Sequence, residues 1–209
     1  QGFVQKHGRG RYEVTKEGVD WLISHTSRLE EYVTHVSEEV IGQVEIETAI
    51  ATGEIEEGQA VSLAMHDGSL QATPGTAGSA TAVAVTDASP GTDVGVTDFE
   101  GVLDYDLGDV TIVSLPRVDN GGSRVVDADR VAALAADHDL LAVAGTEALA
   151  TARAADREPD LRFGTAEAVH GAATRGLDVL LVAVETDLAS HTDRLREDNV
   201  SYEIVDAVE

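Results

Sequence analysis

Between residues 109 and 209 the chain alternates short apolar runs with amphipathic ones, and no other feature narrows its fold so far. "DVTIVSLP" (109–116), "LLAVAG" (140–145) and "DVLLVAV" (178–184) are near-continuous apolar runs built mainly from Val, Leu, Ile and Ala. A strand that apolar has no face to offer water, so it must be covered on both sides, as in a parallel sheet. The stretches between them, "DADRVAALAAD" (127–137), "TEALATARAAD" (146–156), "TAEAVHGAATRG" (165–176) and "DLASHTDRLRED" (187–198), have helical spacing. With "LRFG" (161–164) and "SYEIVD" (201–206) added, residues 109–209 predict five strands and four helices, a Rossmann-like or flavodoxin-like doubly wound domain.

Open α/β sheets bind ligands at the carboxyl ends of their strands, where helix N-termini gather. Gly-Thr recurs at two such ends, in "AGTEA" (144–148) and "FGTAEA" (163–168), while "VETDLA" (184–189) has the threonine without the glycine. Thr146, Thr165 and Thr186 are therefore expected as helix N-caps lining that edge. The loop "PRVDNGGSR" (116–124) adds Arg117, Gly121, Gly122, Ser123 and Arg124. Two arginines in so acidic a region suggest a pocket for a small anionic or zwitterionic effector. The same residues also suit plain helix caps and local ion pairs, and Glu147, Glu167, Glu185 and Asp187 crowd the edge.

Specific catalytic signatures are missing. No G-x-G-x-x-G follows a strand and there is no G-x-x-x-x-G-K-[ST], so no nucleotide cofactor is expected. Neither H-E-x-x-H nor G-x-S-x-G occurs, and the histidines are dispersed. His170 follows Glu167 by three residues, which reads as a helix-surface pair. No catalytic residue, metal site or cofactor is assigned, and with no cysteine there is no disulfide or thiolate chemistry.

From residue 43 to 108 the period changes to two. Val61, Leu63 and Met65 alternate, as do Val83 and Val85, and Val94 and Val96. Turn signals such as Asp67-Gly68, Pro74-Gly75 and Pro90-Gly91 separate the runs, predicting a small all-β barrel or sandwich of five to seven strands. His66 beside Asp67 falls at a turn and reads as a solvated loop residue.

The first residues reverse the charge of the rest. The chain carries a net −25, yet its first 16 residues hold Lys6, Arg9, Arg11 and Lys16 against one acid, +3 in all, which leaves −28 elsewhere. Acidity so evenly spread suits a halophile's cytoplasm. Phe3-Val4 and Tyr12-Glu13-Val14 flank Gly8 and Gly10, predicting a hairpin over residues 1–15 with a basic tip. Thr15 is placed to cap a helix, and Val19, Leu22, Thr26, Leu29, Val33, Val36 and Val40 follow at alternating spacings of three and four. A helix from Lys16 to Ile41 would be about 39 Å long at 1.5 Å per residue. Residues 16–42 thus read as a dimerisation helix with Leu22, Leu29, Val33, Val36 and Val40 on its seam.

"GFVQKHGRGRYEVTKEGVDWL" (2–22) resembles the second half of a winged helix-turn-helix domain, in which a wing hairpin leads through T-x-E-G into the next helix. The whole chain is similar to haloarchaeal winged-helix transcriptional regulators of MarR-like type. The resemblance implies that Lys6, Arg9, Arg11 and Lys16 meet DNA phosphates, that the protein forms a homodimer, and that the groove-reading helices precede Gln1. Phosphate contacts of this kind give affinity but little sequence information.

The expected fold class is therefore α+β and multi-domain: a partial winged helix, a small β-barrel or sandwich, and a Rossmann- or flavodoxin-like α/β domain. The expected function is a DNA-binding transcriptional regulator with a ligand- or partner-sensing α/β domain, cytoplasmic and without a membrane span. A small-metabolite enzyme using the sheet edge and a ligand-free interaction module are the alternatives.

Overall fold

The computed structural model describes residues 2–7, 11–35 and 46–206. Strands β1 (Val4–His7) and β2 (Arg11–Val14) pair antiparallel, with Val4 opposite Val14 and His7 opposite Arg11. Helix α1 (Lys16–His35) follows directly. Thr15 caps it as expected: its Oγ1 accepts the Gly18 N–H at 3.1 Å, and its own hydroxyl donates to the Gly2 carbonyl at 2.6 Å. Gly18 is buried against the hairpin, where a Cβ would lie 2.2 Å from the Phe3 carbonyl oxygen. The T-x-E-G segment is thus a physical requirement for seating the helix.

The winged-helix part of the expected fold class is not what forms. A winged helix closes its hairpin and helices over a shared core. Here Gly18 is the only buried residue among those whose burial is described in the N-terminal segment, while Val4, Tyr12, Val14, Val19, Leu22 and Leu29 are exposed. The hairpin and helix are local elements stitched at one turn. The predicted end of the helix, with Val36 and Val40, lies outside the described residues, as does Arg9.

Five strands form a closed barrel: β3 (Glu47–Ala51), β4 (Ala60–His66), β5 (Ser69–Pro74), β6 (Ala80–Ala84) and β7 (Asp93–Gly101), in the order β3-β5-β4-β6-β7. Of the two expected all-β forms, the barrel is the one adopted. Closure depends on β3, which runs antiparallel to β7 and makes a short parallel join to β5 at Ile50–Gln71 and Ala51–Ala72. The alternating Val61 and Leu63, Val94 and Val96 point inward with Ala72, but in β6 the expected face is reversed: Ala80, Ala82 and Ala84 are buried and Val83 is not, so the core is small, as the composition implies. His66 and Asp67 stand at the β4–β5 turn, both exposed and 3.5 Å apart.

The C-terminal unit contains β8 (Val110–Leu115), α2 (Ala128–Ala136), β9 (Leu140–Ala144), α3 (Thr146–Ala154), α4 (Thr165–Ala173), β10 (Val179–Val184), α5 (Leu188–Glu197) and β11 (Tyr202–Asp206). Its sheet is wholly parallel, in the order β11-β8-β10-β9. Alternate residues of β10 serve two cores. Leu180 and Val182 pack with Val131, Ala148 and Ala152 of α2 and α3; Leu181 and Ala183 pack with Val169, Ala173 and Leu195 of α4 and α5.

Helices on both faces fit the expectation, but the strand count and order correct it. Four strands form, and their order is neither the Rossmann nor the flavodoxin one. "LRFG" contributes one bridge, Leu161 to Ala142, before Phe163 turns outward at 92% exposure and Gly164 adopts positive φ. A segment that leaves the sheet after a single pair cannot become its fifth strand.

Candidate functional site

The strand connections place a crevice. From β8 the chain crosses through α2 to β9; from β10 it crosses through α5 to β11, in the opposite direction. The carboxyl ends of β8 and β10 are therefore the topological switch point, where open sheets hold ligands. Leu115 to Arg117 and Val184 to Asp187 flank it, with the start of α3 alongside.

The loop after β8 folds onto itself there. Val118 donates its N–H to Glu147 Oε1 at 3.1 Å, and Arg124 Nη2 donates to the Val118 carbonyl at 3.1 Å. Arg117 lies 3.7 Å from Asp119. Gly121 and Gly122 both take positive φ, and Gly122 is buried with Ser123 next in the turn. The structure thus gathers Arg117, Gly121, Gly122, Ser123, Arg124 and Thr146 at one edge as expected, but both arginines are engaged locally and Glu147 sits among them.

The expected threonine caps are corrected. Gly145 and Gly164 take the cap positions, and Thr146 and Thr165 become the first helical residues without a capping bond. Gly145 is required because a Cβ there would lie 2.7 Å from Val184 Cγ2, at φ +99°. Thr186 lies in a single 3-10 turn, Glu185–Asp187.

Between α4 and α5 lies a polar cluster that sequence reasoning missed. His191, 4% exposed, has Nδ1 at 2.7 Å from the Asp187 carbonyl oxygen and Nε2 at 2.9 Å from Thr165 Oγ1. A carbonyl only accepts, so Nδ1 carries the hydrogen, and in that tautomer Nε2 accepts from the Thr165 hydroxyl. His170 pairs with Asp198 at 2.6 Å rather than with Glu167. Glu167 instead meets Arg194 Nε at 2.9 Å, and Arg194 Nη1 also reaches Glu197 at 2.7 Å. Arg194 is held above the ordinary guanidinium pKa, first by the hydrogen bond it donates to Glu167, against the opposing effect of desolvation, with the charges of Glu167, Glu197 and Asp198 adding to the rise. The contacts of His191 with Thr165, Arg194 with Glu167 and His170 with Asp198 join residues 26 to 28 apart, beyond any local spacing signal. Among the described residues no group of acidic and histidine side chains is arranged to hold a metal ion.

At the other end, α1 presents Val19, Leu22 and Leu29 to solvent at 45%, 50% and 61% exposure. Trp21 faces elsewhere, its ring 5.4 Å from Phe3 and stacked on His25 at 4.0 Å. At 100° per residue the Leu22–Leu29 seam lies roughly 100° around the helix from Trp21, so the hairpin does not cover it. Lys6 and Arg11 lie on β1 and β2, and Lys16 opens α1, exposed. Val33 lies on the last turns of the described helix.

A closed β-barrel followed by a four-stranded parallel α/β unit defines the class of protein. Residues 104–204, essentially the whole α/β unit, match the family described as Domain of unknown function (DUF7839). The chain is also 30% identical over 209 residues to the uncharacterized protein MJ0558 of Methanocaldococcus jannaschii, an alignment covering 99% of this chain and 80% of that protein. The chain belongs to that protein's family. No solved structure matches it. None of the helices among the described residues is long and apolar enough to cross a membrane.

Proposed function

We propose that this protein is a DNA-binding transcriptional regulator of a halophilic cytoplasm, a homodimer joined along α1, whose C-terminal α/β unit senses a small ligand or a partner. The observation that carries this reading is the uncovered Val19–Leu22–Leu29 seam on a helix stitched at its first turn to a basic hairpin. A heptad seam is complementary to its own copy, and a two-fold pair of helices presents two hairpins in duplicate, as paired operator half-sites require. The concentration of basic residues in the first 16, against −28 over the remainder, supports phosphate contact by the hairpin and not by the body. Such contact needs no winged helix; the hairpin itself is the phosphate-binding element.

Fluorescence anisotropy with duplex DNA across a salt series tests the proposal. Each phosphate contact contributes about 0.9 to the slope of log K against log salt. The Arg9→Ala, Arg11→Ala double variant is expected to reduce the slope by about 2 and to weaken different sequences alike. Unchanged slope and affinity would remove DNA from the proposal.

A further inference from the structure

The barrel and the α/β unit meet around an open cavity of about 570 Å³. The barrel's closing strand creates it. β3 joins β5 only at Ile50 and Ala51, so Glu47 to Ala49 diverge from Ser69 and Leu70 and leave a gap in the wall. The α/β unit meets the barrel beside that gap and contributes Arg175 to its lining. Leu177 seats against Gly68, where a Cβ would lie 2.8 Å from Leu177 Cδ1, and the Tyr105 hydroxyl donates to the Thr174 carbonyl at 3.0 Å. This brings Arg175 to the cavity rim.

The lining is unusual for so acidic a chain. Ile50, Met65, Leu70, Phe99 and Leu103 supply an apolar wall, with Ile50 and Phe99 still 39% and 45% exposed. Arg175 has no carboxylate partner among the described residues; its Nη1 donates only to the Gly171 carbonyl at 2.9 Å. Glu47, exposed and likewise without a cationic partner among them, also lines the cavity. An apolar wall with one free cation and one free anion matches a molecule that has the same three parts. The volume lies within the range of small-molecule sites.

We propose that this cavity binds a free amino acid with a large apolar side chain, its carboxylate on Arg175, its ammonium on Glu47 and its side chain against Phe99, Met65 and Leu70. This deepens the proposed sensing role by naming a ligand class and a site at the junction of the two units. It rests on that role for its regulatory consequence, not for the binding itself. A ligand touching both the barrel and Arg175 favours one placement of the two units, which is the differential contact that regulation needs.

The test is calorimetric titration of the complete chain, without DNA, with L-phenylalanine, L-leucine and L-methionine at high KCl. At least one is expected to bind. Glycine, lacking the apolar body, 2-phenylethylamine, lacking the carboxylate, and 3-phenylpropionate, lacking the ammonium, are expected to bind more weakly or not at all. Arg175→Gln and Glu47→Gln, both at exposed positions that leave the fold intact, are each expected to weaken binding about tenfold or more, as loss of a charge-assisted hydrogen bond does. Phe99→Ala should weaken it as well, while unliganded melting is unchanged for Arg175→Gln and Glu47→Gln. No heat or thermal stabilisation with any of the three amino acids would overturn the proposal. So would binding indifferent to Arg175→Gln, or 3-phenylpropionate binding as tightly as phenylalanine. Because DNA is absent from the titration, loss of DNA binding in the anisotropy assay would not alter its outcome, and the reverse holds too.

Discussion

Truncating Leu29 to alanine tests the dimer most directly, because the side chain has so little to do in the monomer. It is 61% exposed and lies on a helix face turned roughly 100° from Trp21. Its removal should therefore leave monomer stability within about 0.5 kcal/mol of wild type, as for other surface substitutions. In a two-fold helix pair the same residue is lost twice. Fully burying an exposed leucine contributes about 1.5–3 kcal/mol, and rather more than half of Leu29 remains to be buried. Two copies thus contribute about 2–4 kcal/mol to association, a roughly thirty- to several-hundred-fold rise in the dimer dissociation constant. Leu22→Ala, at 50% exposure, should give somewhat less. Sedimentation equilibrium across a protein dilution series, in high salt to screen the acidic bodies, reads the constant directly. A wild type that stays monomeric at the highest concentration refutes the seam. An unchanged constant in Leu29→Ala would show that the copies associate through some other surface.

Two further outcomes follow from the packing of the α/β unit. Gly145→Ala should destabilise the protein by about 2–6 kcal/mol, combining a strained backbone conformation with overpacking against Val184. Adding Val184→Ala should recover only the overpacking part, and strictly additive costs in urea unfolding would discard the steric explanation. Thr165→Val should cost about 1–3 kcal/mol by leaving the buried His191 Nε2 without its donor, whereas the Thr165→Ser variant, which keeps the hydroxyl, should lie much closer to wild type in the same assay.

What the sequence disclosed and what it hid divide along one physical line. β8, β9 and β10 are legible because burial on both faces leaves runs with almost no polar residue, and the barrel strands because burial on one face leaves a period of two. Thr15 is legible as a cap because capping acts over three residues. Long-range partnerships leave no such trace. That β3 closes a barrel by touching both β5 and β7, that β10 inserts between β8 and β9, and that His170 chooses Asp198 over Glu167 are each decided by chain crossings tens of residues long. Gly-Thr pairs at strand ends suggested threonine caps because threonine is the usual capping residue, but the approach of α3 to Val184 leaves no room for a side chain at 145, so glycine takes the cap. At the N-terminus, a motif of 21 residues specified a hairpin and a helix start, but a motif cannot supply the packing partners that make a domain of them.

The stitch between hairpin and helix is where structure and proposed function can be separated. If two hairpins are positioned by the crossing of two α1 helices, each hairpin must follow its helix rigidly, and the rigid link is the Phe3–Thr15–Gly18 contact with Trp21 behind it. Gly18→Ala puts a Cβ 2.2 Å from the Phe3 carbonyl oxygen, which the backbone can relieve only by swinging the hairpin away. Alanine is the better helix former by about 1 kcal/mol, so α1 and its seam should persist or strengthen. Trp21 is the chain's single tryptophan, so its fluorescence reports the Phe3 contact without interference. The expected result is a changed Trp21 emission, an unchanged or tighter dimer, and weaker binding to DNA. A variant that alters Trp21 emission but binds DNA as tightly as wild type would show that hairpin placement does not govern affinity, and the dimer would then lose its part in recognising DNA.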